Sequence, residues 1–210
     1  MRSAFTWELR ERADAEWSAA VDHRLFREII SDEVEDRDFQ RYLHIEFAFI
    51  DTAAVALGAA VRIAPHMADR VVLAAGLYDL LTAQVQFFEE ALKTDRSTIV
   101  PPSAMPLHAL FRELAAGPSY ERLLAAMLGA EWLYKTWCSA TTEQPSSRAT
   151  IRAWTELHTS EAFTQHASWL RQRLDSLAVG LSRDERDDVA NVFRRALAAE
   201  IMFHDAVYQE

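Results

Sequence analysis

The stretch LLAAMLGAEWLYKTWCSA, Leu123 to Ala140, holds no proline and a single glycine, and its large apolar side chains recur at helical spacing. Residues at i, i+3, i+4 and i+7 share one face of a helix, so this run predicts a buried helix. Leu124, Met127, Leu128, Glu131, Tyr134 and Cys138 fall on that face. One acid and the chain's only cysteine therefore stand inside an apolar stripe. Outward from this run the same period fills nearly every segment: about 5–20, 23–32, 36–63, 66–93, 106–116, 119–140, 148–176 and from Ser182 to the end.

The breaks between these segments are short and chemically marked. Pro65 ends the third segment, and STIVPPSAMP (97–106), after the polar KTDRST, carries three of the six prolines. Gly117 suits the position after a helix end, and Pro118 prevents continuation. Ser182 with Glu185 three residues later reads as a capping box. With five glycines in 210 residues and half of them hydrophobic, the pattern predicts an all-α fold. It is expected to be a single domain over 1–210, a bundle of seven or eight helices.

A net charge of −10 argues against nucleic-acid binding, which needs a basic surface to displace counterions. The opening MRSAFTWELRERADAEW is charged throughout, unlike a signal peptide. No run is expected to supply the roughly 20 apolar residues of a membrane span. One cysteine makes no internal disulfide, which fits a reducing cytoplasm. The expected partner is a small molecule, with neither nucleic acid nor membrane.

The stripe interruptions carry the chemistry. One stripe reads Phe39, Tyr42, Leu43, Glu46, Phe49, Ile50, Ala53, Ala54, Leu57. The last helix reads Val189, Val192, Phe193, Ala196, Leu197, Glu200, Phe203, Val207. Glu46, Glu131 and Glu200 thus each replace an apolar residue. A lone carboxylate facing a core costs several kcal/mol or takes up a proton. Ordinary ion pairing would explain any one of the three, but few cations share their stripes. Three such acids among Phe47, Phe49, Trp132, Tyr134 and Phe203 suit a flat, basic, nitrogen-containing ligand that stacks and donates hydrogen bonds.

His158 shares a face with Trp154, Ala162, Gln165 and Trp169 if 148–176 is one helix; it is either a satisfied core residue or a donor or proton shuttle. Cys138 lies near a helix C-terminus, where the dipole disfavours a thiolate, so it reads as a small buried hydrophobe. Phosphate loops, G-x-S-x-G elbows and zinc-type cysteine clusters are absent from the sequence. Glu200 and His204 at i, i+4, and His158 and Glu161 at i, i+3, have spacings that metals use, without a full ligand set. No metal or cofactor is expected.

FQRYLHIEFAFIDTAA (39–54), EWLYKTW (131–137) and EIMFHDAVY (200–208) together resemble the TenA/thiaminase II family, in order and over most of the chain. The resemblance implies a haem-oxygenase-like helical fold, a homodimer or homotetramer, and hydrolysis of pyrimidines from thiamine breakdown. It places the family's nucleophilic cysteine at Ala130 and its ring-anchoring aspartate at Glu46. It also puts pocket aromatics at Phe49 and Phe203, a tyrosine at Tyr134 and the catalytic glutamate at Glu200. Two further pocket tyrosines fall on Leu107 and His158, and a tryptophan on His204. Lacking the cysteine, the chain resembles the TenA_E branch, linked to hydrolysis of aminomethylpyrimidine and its N-formyl derivative. The expected roles are therefore Glu200, Glu131 and Tyr134 in catalysis, and Glu46, Phe47, Phe49, Phe203, His158 and Leu107 in substrate binding. A metallo-oxygenase of the same fold, using Glu200, His204, His158 and Glu161, and a non-catalytic pyrimidine-binding regulator remain open alternatives.

Overall fold

The computed structural model describes residues 4–92 and 100–209, and among them every regular element is helical. The KTDRST run and the start of STIVPPSAMP, 93–99, lie outside the described residues. The elements are α1 (Phe5–Arg12), α2 (Asp14–Val21), α3 (Arg24–Ile30), α4 (Asp36–Ile63), α5 (Met67–Asp79) and α6 (Val85–Leu92). They continue as α7 (Met105–Ala116), α8 (Tyr120–Ala140), α9 (Ala149–Thr159), α10 (Glu161–Leu177) and α11 (Arg183–Asp205). The α5 and α6 helices are one rod joined by a π-helical turn, Leu80–Gln84.

The count exceeds the expected seven or eight because two long segments are broken. The first breaks at Ala13, which is buried and lies at φ −110°. The second breaks at Ser160, whose hydroxyl accepts from the Phe163 N–H and starts α10 as an N-cap. The capping box at α11 is formed: the Ser182 hydroxyl accepts from the Glu185 N–H while the Glu185 carboxylate accepts from the Ser182 N–H. Gly117 ends α7 in an extended conformation at φ −80°, so its left-handed freedom is not used.

The α8 helix is the central rod, in contact with α2, α4, α7, α9, α10 and α11. Its approach to α11 is closest at Gly129, where an added Cβ would stand 3.1 Å from the Ala196 Cβ. Fully buried Leu123, Leu124, Leu128, Leu133 and Cys138 show why this helix is apolar nearly all round. Asp32, at φ 62°, ties the α3–α4 turn to the loop before α9 by accepting from the Ser146 and Ser147 hydroxyls and from Arg148.

One expectation needs correcting. Asp36–Ile63 and Met67–Leu92 are both long and apolar enough to cross a bilayer by length and composition. The first buries Ile45, Ile50, Ala56, Leu57 and Ala60 against the core. The second leaves Met67, Val71, Tyr78 and Leu81 exposed.

Because the α8–α11 contact leaves no room at residue 129, Gly129→Leu should lower stability by about 1–3 kcal/mol through overpacking. Urea denaturation measures it, and an unchanged midpoint would mean the two helices can separate freely.

Candidate active site

A cavity of about 390 Å³ lies among α4, α5, the π-helical turn, α7, α8, α9, α10 and α11. Its walls are mostly apolar: Phe49, Ile50, Ala53 and Leu57 from α4, Leu107 and Phe111 from α7, Met127 and Ala130 from α8, and Phe203 from α11. Glu46, Glu131 and Glu200 all line it. The period that set each acid in an apolar stripe thus turns all three toward one space, since the stripes of α4, α8 and α11 face each other.

The acids do not have equivalent surroundings. The Tyr134 hydroxyl donates to a Glu46 carboxylate oxygen. Its single proton is thereby committed, so its oxygen accepts from the Tyr42 hydroxyl at 3.1 Å and from the His204 Nε2–H at 3.0 Å. The Trp154 indole N–H donates in turn to the Tyr42 hydroxyl at 3.1 Å. A one-way chain of donors runs from Trp154 through Tyr42 and Tyr134 and ends on Glu46. Burial pushes the Glu46 carboxyl up, the tyrosine hydroxyls pull it back, and it comes to rest at about 7. Burial holds both tyrosine hydroxyls well above their ordinary range, and the charge of Glu46 adds to it.

Glu200 is 2% exposed, and its Oε2 has no hydrogen-bond partner in the protein. Burial, and then the charge of Glu46, hold it well above the usual carboxylate range, so it keeps its proton. The two carboxyl groups share one space but hold their protons unequally: Glu46 titrates at about 7, while Glu200 stays protonated beyond it. His204 Nε2 stands 3.8 Å from Glu200. Burial and the neighbouring His23 hold this imidazole well below its usual value, so it is neutral.

His158 lines the cavity and is 4% exposed. Its Nδ1–H donates to the Trp154 carbonyl at 3.0 Å, and burial lowers its pKa to about 4. The expectation of a donor is therefore corrected: a neutral ring with Nδ1–H committed offers only an accepting Nε2. Tyr134 is likewise corrected, because its hydroxyl is fully used within the protein and positions Glu46 rather than meeting a ligand as a donor. Phe47 lies outside the lining and packs on Phe88 with ring centroids 5.3 Å apart, one residue out of phase with Glu46. Phe49 and Phe203 meet edge to face, ring centroids 5.7 Å apart at 68°, and form one aromatic wall. Leu107 closes the α7 side.

Glu131 faces the cavity with both oxygens directed at His166 Nδ1, at 2.9 and 3.1 Å. Sequence reasoning passed over His166 because it read 148–176 as one helix. The Ser160 cap resets the helical phase, turning Phe163 and His166 inward and leaving Gln165 exposed. The hydroxyl at Ser160, directly before Glu161, was the available signal. Glu161 is exposed and accepts from the Gln165 amide at 2.7 Å, so the set Glu200, His204, His158 and Glu161 does not converge. Among the described residues no group of three or more His, Cys, Asp or Glu is placed to hold a metal ion.

Residues 10–210 match the sequence profile of the TENA/THI-4/PQQC family. The chain belongs to that family. It is 23% identical to the aminopyrimidine aminohydrolase of Halalkalibacterium halodurans over 216 residues, covering 99% of this chain and 96% of the relative. The fold superposes on a TenA homologue from Pyrococcus furiosus with a TM-score of 0.89 at 18% identity, over 97% of this chain and 100% of that one. A TenA homologue from P. horikoshii OT3 gives 0.87 at 16% identity, over 98% and 99%. Within this TenA fold, Ala130, the position that the sequence resemblance gives to the cysteine nucleophile, lies in the cavity wall beside Glu131. Cys138 is two turns further along α8, fully buried, its thiol pushed well up by burial and by the charge of Glu46.

The raised Glu46 carboxyl has a stability cost with a definite sign. Its folded pKa of about 7 exceeds the ordinary 4.5, so the folded state binds the extra proton between those values. Stability therefore falls as pH rises through that window, by about 3 kcal/mol from this group. The difference in unfolding free energy between wild type and Glu46→Gln, taken by denaturant titration from pH 4 to pH 8, should show this decline. A difference that stays flat would mean that Glu46 ionises without penalty.

Proposed function

We propose that the protein is a thiamine-salvage hydrolase acting on a 4-amino-2-methylpyrimidine that carries an aminomethyl or N-formylaminomethyl group, with water in place of a cysteine nucleophile. The observation that carries this reading is the pair Glu46 and Glu200, one titrating at about 7 against a tyrosine hydroxyl and one held as an acid, in an aromatic-walled cavity of about 390 Å³. That volume falls within the range of small-molecule sites. The name of the H. halodurans relative supports the substrate class.

In this reading Glu46 accepts hydrogen bonds from the aminopyrimidine edge and fixes the ring, while the wall of Phe49 and Phe203 packs against it. The His158 Nε2 accepts a further ring donor. Tyr134, Tyr42 and His204 hold Glu46 in place. Glu200 gives its proton to the departing amine as the C–N bond breaks and the oxygen of water bonds to carbon. Ala130 has no side-chain nucleophile, and buried Cys138 cannot reach the cavity as a thiolate, which supports the branch lacking the catalytic cysteine.

The test is chromatography after separate incubation with aminomethylpyrimidine, its N-formyl derivative and thiamine. Release of the hydrolysed pyrimidine from one of the first two is expected. Glu200→Gln should reduce kcat by about 10²- to 10⁴-fold, and Cys138→Ser should leave it within about twofold. Turnover of none of the three compounds would overturn the reading, and cleavage abolished by Cys138→Ser would overturn the water nucleophile.

A further inference from the structure

The cavity has a second polar wall that the roles above leave unused. Glu131 stands one helical turn before Tyr134 on α8, and both side chains line the cavity. Ala130, Glu131 and His166 therefore line the same space as Glu46 and Tyr134, where a ring anchored at Glu46 would lie. The His166 imidazole is fixed on three sides. Glu131 holds Nδ1 through both carboxylate oxygens, Trp169 stacks parallel at 5.9 Å and 16°, and Gly76 of α5 lies opposite the far nitrogen. A Cβ at residue 76 would stand 3.0 Å from Nε2, so only glycine lets α5 pack this closely on the imidazole without pressing on that nitrogen.

The two nitrogens then differ in kind. Nδ1–H donates to the carboxylate, leaving the Nε2 lone pair as the free valence. Nε2 is buried and has no hydrogen-bond partner in the protein. A purely structural histidine–glutamate pair would satisfy both nitrogens, because an unmet buried polar atom costs about 1–3 kcal/mol. A carboxylate-oriented imidazole whose Nε2 has no protein partner is the arrangement that activates a hydroxyl or a water.

On the hydrolase reading above, we propose that His166 is the general base that deprotonates the attacking water, with Glu131 as its positioning residue. The water oxygen bonds to the carbon carrying the nitrogen leaving group, and its proton passes to His166 Nε2. The C–N bond breaks, and the amine departs with the proton of Glu200. Exchange with solvent then returns both groups to their starting states. The reaction uses no oxidant or further co-reactant. The charged groups facing His166 are Glu131 on α8 and Asp79 on α5. Burial pulls the imidazole down, Glu131 and Asp79 outweigh it, and the balance lies above the ordinary 6.5.

The test compares wild type, His166→Asn and Glu131→Gln for kcat, KM and pH profile on whichever pyrimidine the protein hydrolyses. Binding of hydroxymethylpyrimidine is followed in parallel by tryptophan fluorescence. In wild type kcat should rise with pH along a limb centred above 6.5. His166→Asn should lower kcat by about 10²- to 10⁴-fold, leave only the limb that Glu46 sets at about 7, and leave KM and product binding within a few-fold. Glu131→Gln should move the His166 limb to lower pH. A His166→Asn enzyme with near wild-type kcat and pH profile would overturn the role of His166 while leaving the hydrolase reading standing. Wild type that binds the pyrimidine but turns nothing over would overturn both. If His166→Asn does not fold, His166→Ala with added imidazole decides: recovered turnover supports the base, and none overturns it.

Discussion

A single phenolic hydroxyl, that of Tyr134, joins three helices at the centre of this protein. It has one proton and two lone pairs, and all three are used: the proton on Glu46 of α4, the lone pairs on Tyr42 of α4 and His204 of α11. The register of α8 against both neighbours is therefore set by chemistry as well as by packing, because a rotation of any one helix would leave a buried polar atom without a partner. The asymmetry of the cavity acids follows from the same constraint. The donor chain ends on Glu46, while Glu200 has a buried oxygen with no protein partner and is the more strongly favoured to keep its proton.

Much of this was legible in the sequence, and the reason is periodicity. Glu46, Glu131 and Glu200 are conspicuous because each occupies a position where the helix period demands an apolar side chain, and long uninterrupted helices keep that phase reliable. Tyr42 gave no such signal: it sits in the same stripe as Glu46 and reads as ordinary core, and its hydroxyl acquires meaning only through Trp154 and Tyr134 on other helices. His204 was visible as a neighbour of Glu200 at i+4 and as the position of a family tryptophan, but not as a partner of Tyr134. The breaks at Ala13 and Ser160 were missed for different reasons. Alanine has no tendency to end a helix, so the Ala13 break is set by surroundings that a local reading does not see. Ser160 does carry a start signal, and overlooking it shifted the phase enough to favour exposed Gln165 over His166.

The lone cysteine illustrates how position decides reactivity. Cys138 shares the Glu131 face of α8 but lies two turns beyond it, sealed from solvent and within the field of the Glu46 carboxylate. Both influences favour the neutral thiol. The same helix places Ala130, which has no reactive group, directly in the cavity wall. The groups that α8 turns toward the chamber beside Ala130 are the oxygens of Glu131 and Tyr134.

The π-helical turn between α5 and α6 bears on how such a chamber can change over generations. Leu80, Ala83 and Gln84 of that turn, with Asp79 just before it, form one side of the cavity. A π-turn is a helix that has absorbed an additional residue. Losing that residue would swivel everything after it by about 100°. Phe87 and Phe88, which meet Trp154 with ring centroids 5.2 Å apart, would be swung away. Glu46, Glu131 and Glu200 lie on other rods and would stay where they are. A one-codon deletion there would thus remodel the α5–α6 wall of the cavity while the carboxyl groups keep their register, separating the evolution of ligand size from that of the reacting centre.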